Sequence, residues 1–233
     1  YDGYVESFTE NWEKLEQYDN NAPKTMNAHL HVLEAYTLLY QCWKDNGLKK
    51  RLEFCVDLFM NRIYDPSRKH FNLFFDNEWN SLVEMDSYGH DVETGWLLCE
   101  AARTLENQDL IEQTNQLALD VTEACLAEGM SDKGYMIYEK KGDRKTKHAS
   151  WWGQIETVIA CVNAWQISGS DVYLQSVDTV WTFVKDHMVD KEYGEWYSDC
   201  FDGEPKKEAP KVSMWRCPYH TVRLGVEMYN RLK

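Results

Sequence analysis

Positive charge is scarce in this sequence. Lys and Arg number 25 against 39 Asp and Glu, for a net charge of −14. Nucleic-acid binding rests on neutralising phosphates with basic side chains, so the charge argues against that class, and an anionic membrane surface is disfavoured for the same reason. No apolar run approaches the ~20 residues of a membrane span, and no signal-peptide pattern is visible. The chain has no CxxC, no HExxH, no glycine-rich phosphate loop and no GxSxG elbow, so the common zinc, nucleotide and serine-hydrolase signatures are missing. The seven cysteines are odd in number, and five of them (Cys42, Cys55, Cys99, Cys125, Cys161) fall in apolar, helix-like stretches. They read as reduced, buried thiols of a cytoplasmic protein.

What the chain does have is apolar and aromatic mass. Apolar residues make up 43% of its 233 positions, enough for a sizeable core, and Trp and Tyr contribute 10 and 14. Aromatic faces suit flat or amphipathic ligands such as sugars, as well as a core. Apolar residues recur at helical spacing in seven segments: 25–46, 48–64, 90–106, 108–128, 150–168, 171–188 and 219–232. Between them lie connectors with near-alternating aromatics and Gly, Asp or Asn nearby: DGYVESFTENW (2–12), RKHFNLFFDNEW (68–79), DKGYMIYEKKGD (132–143) and EYGEWYSDCFDG (192–203). Each is expected to form a short β-hairpin.

The connectors recur every 60 to 66 residues or so, which makes helix–helix–hairpin the repeating unit. One helix pair cannot bury its own apolar face, so the pairs must stack. The expected fold is all-α, an (α/α)6 toroid of inner and outer helices, with the apolar first helix of each pair inside. A ring of six pairs would need about 370 residues at this period, and the chain holds about three and a half units. It also opens at Tyr1 in the middle of a patterned segment. Residues 1–233 are therefore expected to be a single domain, the C-terminal part of such a barrel.

In a toroid, equivalent ends of the inner helices meet at one mouth. The four helix starts carry Asn27, His29 and His31; His90, Glu93 and Trp96; Trp151, Trp152 and Glu156; and Trp215, His220 and Arg223. Glu156 lies between Ile155 and the apolar run TVIA, where an unpaired carboxylate would be costly, so it is expected to hold a ligand hydroxyl or a histidine. Trp151 and Trp152 could each serve as core or as ligand platform. His29 and His31 are two apart and point to different faces of a helix, so chelation by that pair is not expected. Imidazole titrates near ~6.5 and can both accept and donate a proton at cellular pH. Histidines with carboxylates and tryptophans, without metal or nucleotide, suit proton transfer on a carbohydrate. Glycoside hydrolysis is the competing chemistry, with Glu93 and Glu156 as its paired carboxylates, and the prominence of histidine weighs against it.

TMNAHLHVLEAYT, SYGHDVETGWL, WWGQIE and WRCPYH, in that order over residues 24 to 223, together resemble the N-acylglucosamine 2-epimerase superfamily, and within it the cellobiose 2-epimerases. The resemblance implies an (α/α)6 barrel and reversible C2 epimerisation of the reducing-end glucose of cellobiose and related β-1,4-linked disaccharides such as lactose, to mannose. It implies no cofactor and no metal. His90 and His220 match the catalytic acid/base pair; which opens the ring and which takes the C2 proton is left open. His31, one turn after Asn27, matches a third active-site histidine, while His29 matches nothing and is expected to be structural. Glu93 matches a carboxylate that binds sugar and orients the neighbouring histidine, Trp152 and Trp215 match aromatics that hold sugar rings, and Glu156 matches a further acid of the pocket. The family's pattern also uses an Arg and a Tyr from the N-terminal part of the barrel, so the upstream part is expected to be needed for activity. The alternatives are an N-acylglucosamine 2-epimerase or a mannose isomerase or epimerase on the same scaffold, or a non-catalytic partner-binding protein.

Overall fold

The computed structural model describes residues 3–15, 17, 18 and 21–233. Seven α-helices dominate it: α1 (Met26–Cys42), α2 (Asn46–Leu58), α3 (Tyr88–Leu105), α4 (Gln108–Gly129), α5 (Trp151–Ser168), α6 (Val172–Phe183) and α7 (Tyr219–Arg231). α2 and α6 each run on into one π-helical turn, Phe59–Ile63 and Val184–Met188. Among the described residues, no helix is long and apolar enough to cross a membrane. All seven cysteines are free thiols.

Local chemistry sets the helix ends. Thr25 Oγ1 accepts the Ala28 N–H at 3.2 Å, Asp45 Oδ1 accepts that of Leu48 at 2.9 Å, and Ser150 Oγ accepts that of Gly153 at 3.2 Å, so each satisfies a donor the helix cannot. Gly169 ends α5 in the left-handed region (φ 71°), as a helix-closing glycine does. The Asp45 cap corrects one boundary. Periodicity alone carried the first helix to residue 46 and placed a stop near Gly47. The cap instead starts α2 at Asn46, puts Gly47 in its first turn and leaves residues 43–45 as the break.

The connectors are corrected too. Phe8 bridges Lys14, Phe75 bridges Ser81, Met130 bridges Met136, and Val189 bridges Trp196. Separate antiparallel pairs join Tyr64–Asp65 to His70–Phe71, Lys140–Lys141 to Arg144–Lys145, and Asp199–Phe201 to both Glu204–Pro205 and His148–Ser150. The aromatic alternation marks extended chain, but the turn residues choose where it folds back. Asp202 and Gly203 both have positive φ (51° and 83°), as a two-residue hairpin turn of the primed type asks. That hairpin therefore spans 199–205, not 192–203. The first expected hairpin, 2–12, begins at Asp2, outside the described residues.

The chain divides into two compact units, residues 1–86 with 97–117, and residues 87–96 with 118–233. In the first, α1 packs on α2. α1 buries Met26, His29, Leu30, Leu33 and Thr37 along one stripe and leaves Leu38 and Leu39 exposed. His29 is enclosed: the Tyr4 backbone N–H donates to its Nε2 at 2.9 Å and its Nδ1–H donates to the Thr25 carbonyl at 2.6 Å. Burial pushes its pKa below the usual histidine value, since the charged form would lose hydration.

In the second unit, α5 is buried on all sides over twelve consecutive residues, Gly153–Ala164, the signature of an interior helix. It packs against α6 and α7. Its partner α6 buries only Tyr173, Val180 and Phe183 and is an outer helix. Cys161, Ala164 and Tyr173, flanked by Leu119, Leu126, Trp165 and Val177, form the contact between them. The enclosed α5 carries the central residues of the candidate site.

Candidate active site

Within the second unit, the N-terminal turns of α3, α5 and α7 converge. A glycine permits the approach. A Cβ on Gly89 would lie 2.7 Å from Cζ3 of Trp152 and 3.2 Å from the Cα of Gly153, inside van der Waals contact. Periodicity placed the start of this helix at residue 90. The helix already begins at Tyr88, and Gly89 makes room for the Trp152 indole and the α5 backbone. Gly89→Ala is expected to cost about 1–3 kcal/mol, read as a lowered urea midpoint, because one contact is backbone and cannot swing away. An unchanged midpoint would show that the two helix starts are further apart.

Trp152 is the shared wall of two histidines. The His90 ring packs against it at 4.6 Å between centroids and the His220 ring at 5.8 Å. Tyr138 meets it edge-on at 6.0 Å, and Trp151 and Tyr219 flank His220. Beneath His220 lies a charge network. Glu156 is fully buried and Glu93 is 1% exposed. His220 Nδ1–H donates to Glu156 Oε1 at 2.7 Å. Arg223 Nη1 donates to that same oxygen at 3.0 Å and to Glu93 Oε1 at 2.6 Å. The Trp96 indole N–H takes Glu156 Oε2 at 2.9 Å. The guanidinium of Arg223 also lies over the rings of Tyr219 and Trp96, at 4.2 and 5.3 Å. Buried charges require such pairing.

The carboxylate can only accept, so its bond assigns the His220 tautomer. Nδ1 carries the hydrogen, which leaves Nε2 of the neutral ring with its lone pair free to accept, the arrangement in which a buried acid orients an imidazole. Glu93, Glu156 and His220 also present donor atoms within 4.8 Å of one another, close enough for a cation. Arg223 supplies the positive charge there, and its bonds to both carboxylates leave a metal to compete with a guanidinium already in place.

The second unit therefore brings together His90, Glu93, Trp152, Glu156 and His220. Asn27 and His31 belong to the first unit. Asn27 is exposed, and His31 Nδ1 lies 3.2 Å from Glu34 Oε2 on the next turn. Trp215 is 84% exposed, on a turn in which Ser213 pairs with Arg216, and is not packed with the indole of Trp152. Arg223 and Trp96, placed by the sequence among the residues of the helix starts, had been given no individual role. Their signal was present in the spacing: Trp96 follows Glu93 by three, Arg223 follows His220 by three, and residues three apart share a helix face.

Paired helices around an enclosed helix make this a helical-hairpin protein, with a polar cluster of two histidines, two glutamates and an arginine at converging helix starts. The profile of the N-acylglucosamine 2-epimerase (GlcNAc 2-epimerase) family matches residues 2–223, and the chain belongs to that family. It is 40% identical to a cellobiose 2-epimerase of Bacteroides fragilis over 97% of this chain and 59% of that one. It is 36% identical to a cellobiose 2-epimerase of Dictyoglomus turgidum over 99% of this chain and 60% of that one. Among solved structures, a sugar epimerase from a ruminal bacterium superposes with a TM-score of 0.94 at 34% identity, over 98% of this chain and 60% of that one. The fold is that of the all-helical (α/α)6 epimerases. The chain spans about three-fifths of the length of the relatives it matches (59% and 60%).

Proposed function

We propose that the protein containing this chain is a carbohydrate 2-epimerase that interconverts the reducing-end glucose of cellobiose, and of β-1,4-linked disaccharides such as lactose, with mannose. The observation that carries the reading is the pair of imidazoles packed on one indole, one of them held at Nδ1 by a buried glutamate. Once the sugar ring is open, an imidazole takes the C2 proton. The electrons of that C–H bond form the C1–C2 double bond of an enediolate. A proton returned to the opposite face from the second imidazole gives the epimer. Glu156 would stabilise the imidazolium formed on His220, and donors around O1 would stabilise the enediolate. No electron leaves the sugar, so the reaction calls for no redox cofactor. Asn27, Glu93, His31, Trp152 and Trp215 are the proposed sugar-facing or assisting residues, all 233 residues are taken as part of one barrel domain, and the protein is placed in the cytoplasm.

The test is NMR of cellobiose in heavy water with the whole protein. Deuterium is expected at C2 of the reducing-end residue, with a mannose-ended product growing in. The 233-residue stretch alone is expected to be inactive, because it spans only about three-fifths of the length of its relatives (59% and 60%). Parallel assays on mannose and N-acetylglucosamine separate the sibling activities, and a ketose product would identify an isomerase. Absence of exchange with every sugar would overturn the reading.

A further inference from the structure

SYGHDVETGW supplies His90 and Glu93 to the site, yet the serine at its head has no part in the chemistry so far described. Three helices of this chain start on a hydroxyl residue: Thr25 before α1, Ser87 before α3 and Ser150 before α5. Thr25 and Ser150 use the hydroxyl oxygen to accept a backbone N–H three residues on, each at 3.2 Å, as N-caps do. Ser87 does something else. Its Oγ lies 2.8 Å from Nδ1 of His90, three residues on, so it meets a side chain where the other two meet backbone. Ser87 is buried, and the other side of the contact is fixed as well, because the His90 ring packs on the Trp152 indole. Gly89, between them, is the residue whose missing Cβ makes room for that indole.

We infer that Ser87 is a positioning residue for His90: its hydroxyl accepts the Nδ1–H and holds the ring in the tautomer whose Nε2 exchanges the proton with the sugar. The inference rests on the epimerase reading for its role in catalysis, though not for its geometry. The two histidines are then steadied at the same nitrogen by different groups, His220 by the carboxylate of Glu156 and His90 by a neutral hydroxyl. Without the hydroxyl, the ring packed on Trp152 loses the group that selects its tautomer, and the form in which Nε2 carries the hydrogen cannot act as base.

The variants are made in the whole protein. Ser87→Gly removes the hydroxyl while keeping a residue that helix starts tolerate, and Ser87→Thr keeps the hydroxyl. Ser87→Ala serves as a second hydroxyl-free variant should the glycine form fail to fold. For exchange at C2 of cellobiose, Ser87→Gly is expected to lose roughly 10- to 100-fold in kcat with KM within about threefold, and Ser87→Thr to stay within about threefold of the parent. Independently of any substrate, nitrogen-15 NMR of labelled histidine should show neutral His90 as the Nδ1–H form in the parent and a shift towards Nε2–H in Ser87→Gly. A hydroxyl-free variant with parental kcat, or with an unchanged His90 tautomer, overturns the inference while leaving the epimerase reading standing. If the parent itself exchanges no sugar, the epimerase reading fails, and the tautomer measurement decides the Ser87 contact by itself.

Discussion

Glu156→Gln in the whole protein should lower kcat for C2 exchange by about 10³- to 10⁴-fold, with a much smaller change in KM. The size follows from the directions of three hydrogen bonds. Oε1 receives His220 Nδ1–H and Arg223, and Oε2 receives the Trp96 indole N–H. All three partners are donors, so only a group that accepts at both ends fits. A glutamine amide has one accepting end. If its oxygen keeps His220 and Arg223, its NH2 confronts the Trp96 N–H. If it flips, the NH2 faces the imidazole and forces Nδ1 to accept, which moves the hydrogen to Nε2 and removes the base. Steady-state kinetics on cellobiose decide the matter. A variant within tenfold of the parent would mean that Glu156 does not set the His220 tautomer.

Arg223→Met should be the most damaging single change to stability, at about 3–5 kcal/mol. Methionine retains an unbranched stem that can pack where the guanidinium lies over Trp96 and Tyr219, so the loss isolates the charge. Without the guanidinium, the two enclosed carboxylates of Glu93 and Glu156 lose their shared cation. Pairing the change with Glu93→Gln should recover part of the loss, because one buried charge then remains where two had been, and residues in one network do not behave additively. Urea unfolding with an unchanged slope would report both numbers. A loss below about 1 kcal/mol would show that water reaches the network and screens it.

The helices were legible in the sequence, and the reason is physical. A buried face repeats every 3.6 residues whatever the helix packs against, so all seven segments announced themselves. α5 was legible even in its role, because a run such as IETVIACVNAW, apolar nearly all round, has no solvent face to offer. Turn positions were less legible. Alternating aromatics in 192–203 and 132–143 show extended chain but not its register, which depends on a pair of φ-positive residues such as Asp202 and Gly203. The α1–α2 boundary was missed for a related reason. Apolar spacing runs through Trp43, while the decisive signal was the single Asp45 side chain bonded to Leu48.

By itself, the sequence determined the acidic, helical character of the protein, its repeating unit, and the residue types that gather at the helix starts, since periodicity and motif spacing are local properties. Only the tertiary structure decided which of those residues meet. It joined Glu156 to His220, 64 residues away, and Arg223 to Glu93, 130 residues away. It made Trp96 a hydrogen-bond donor to a carboxylate sixty residues on. It left Trp215 on an exposed turn and gave Gly89 a packing duty. The side of an indole that a histidine covers, and the partner that a buried carboxylate takes, follow from how helices distant in the chain approach one another, which no spacing within one helix records.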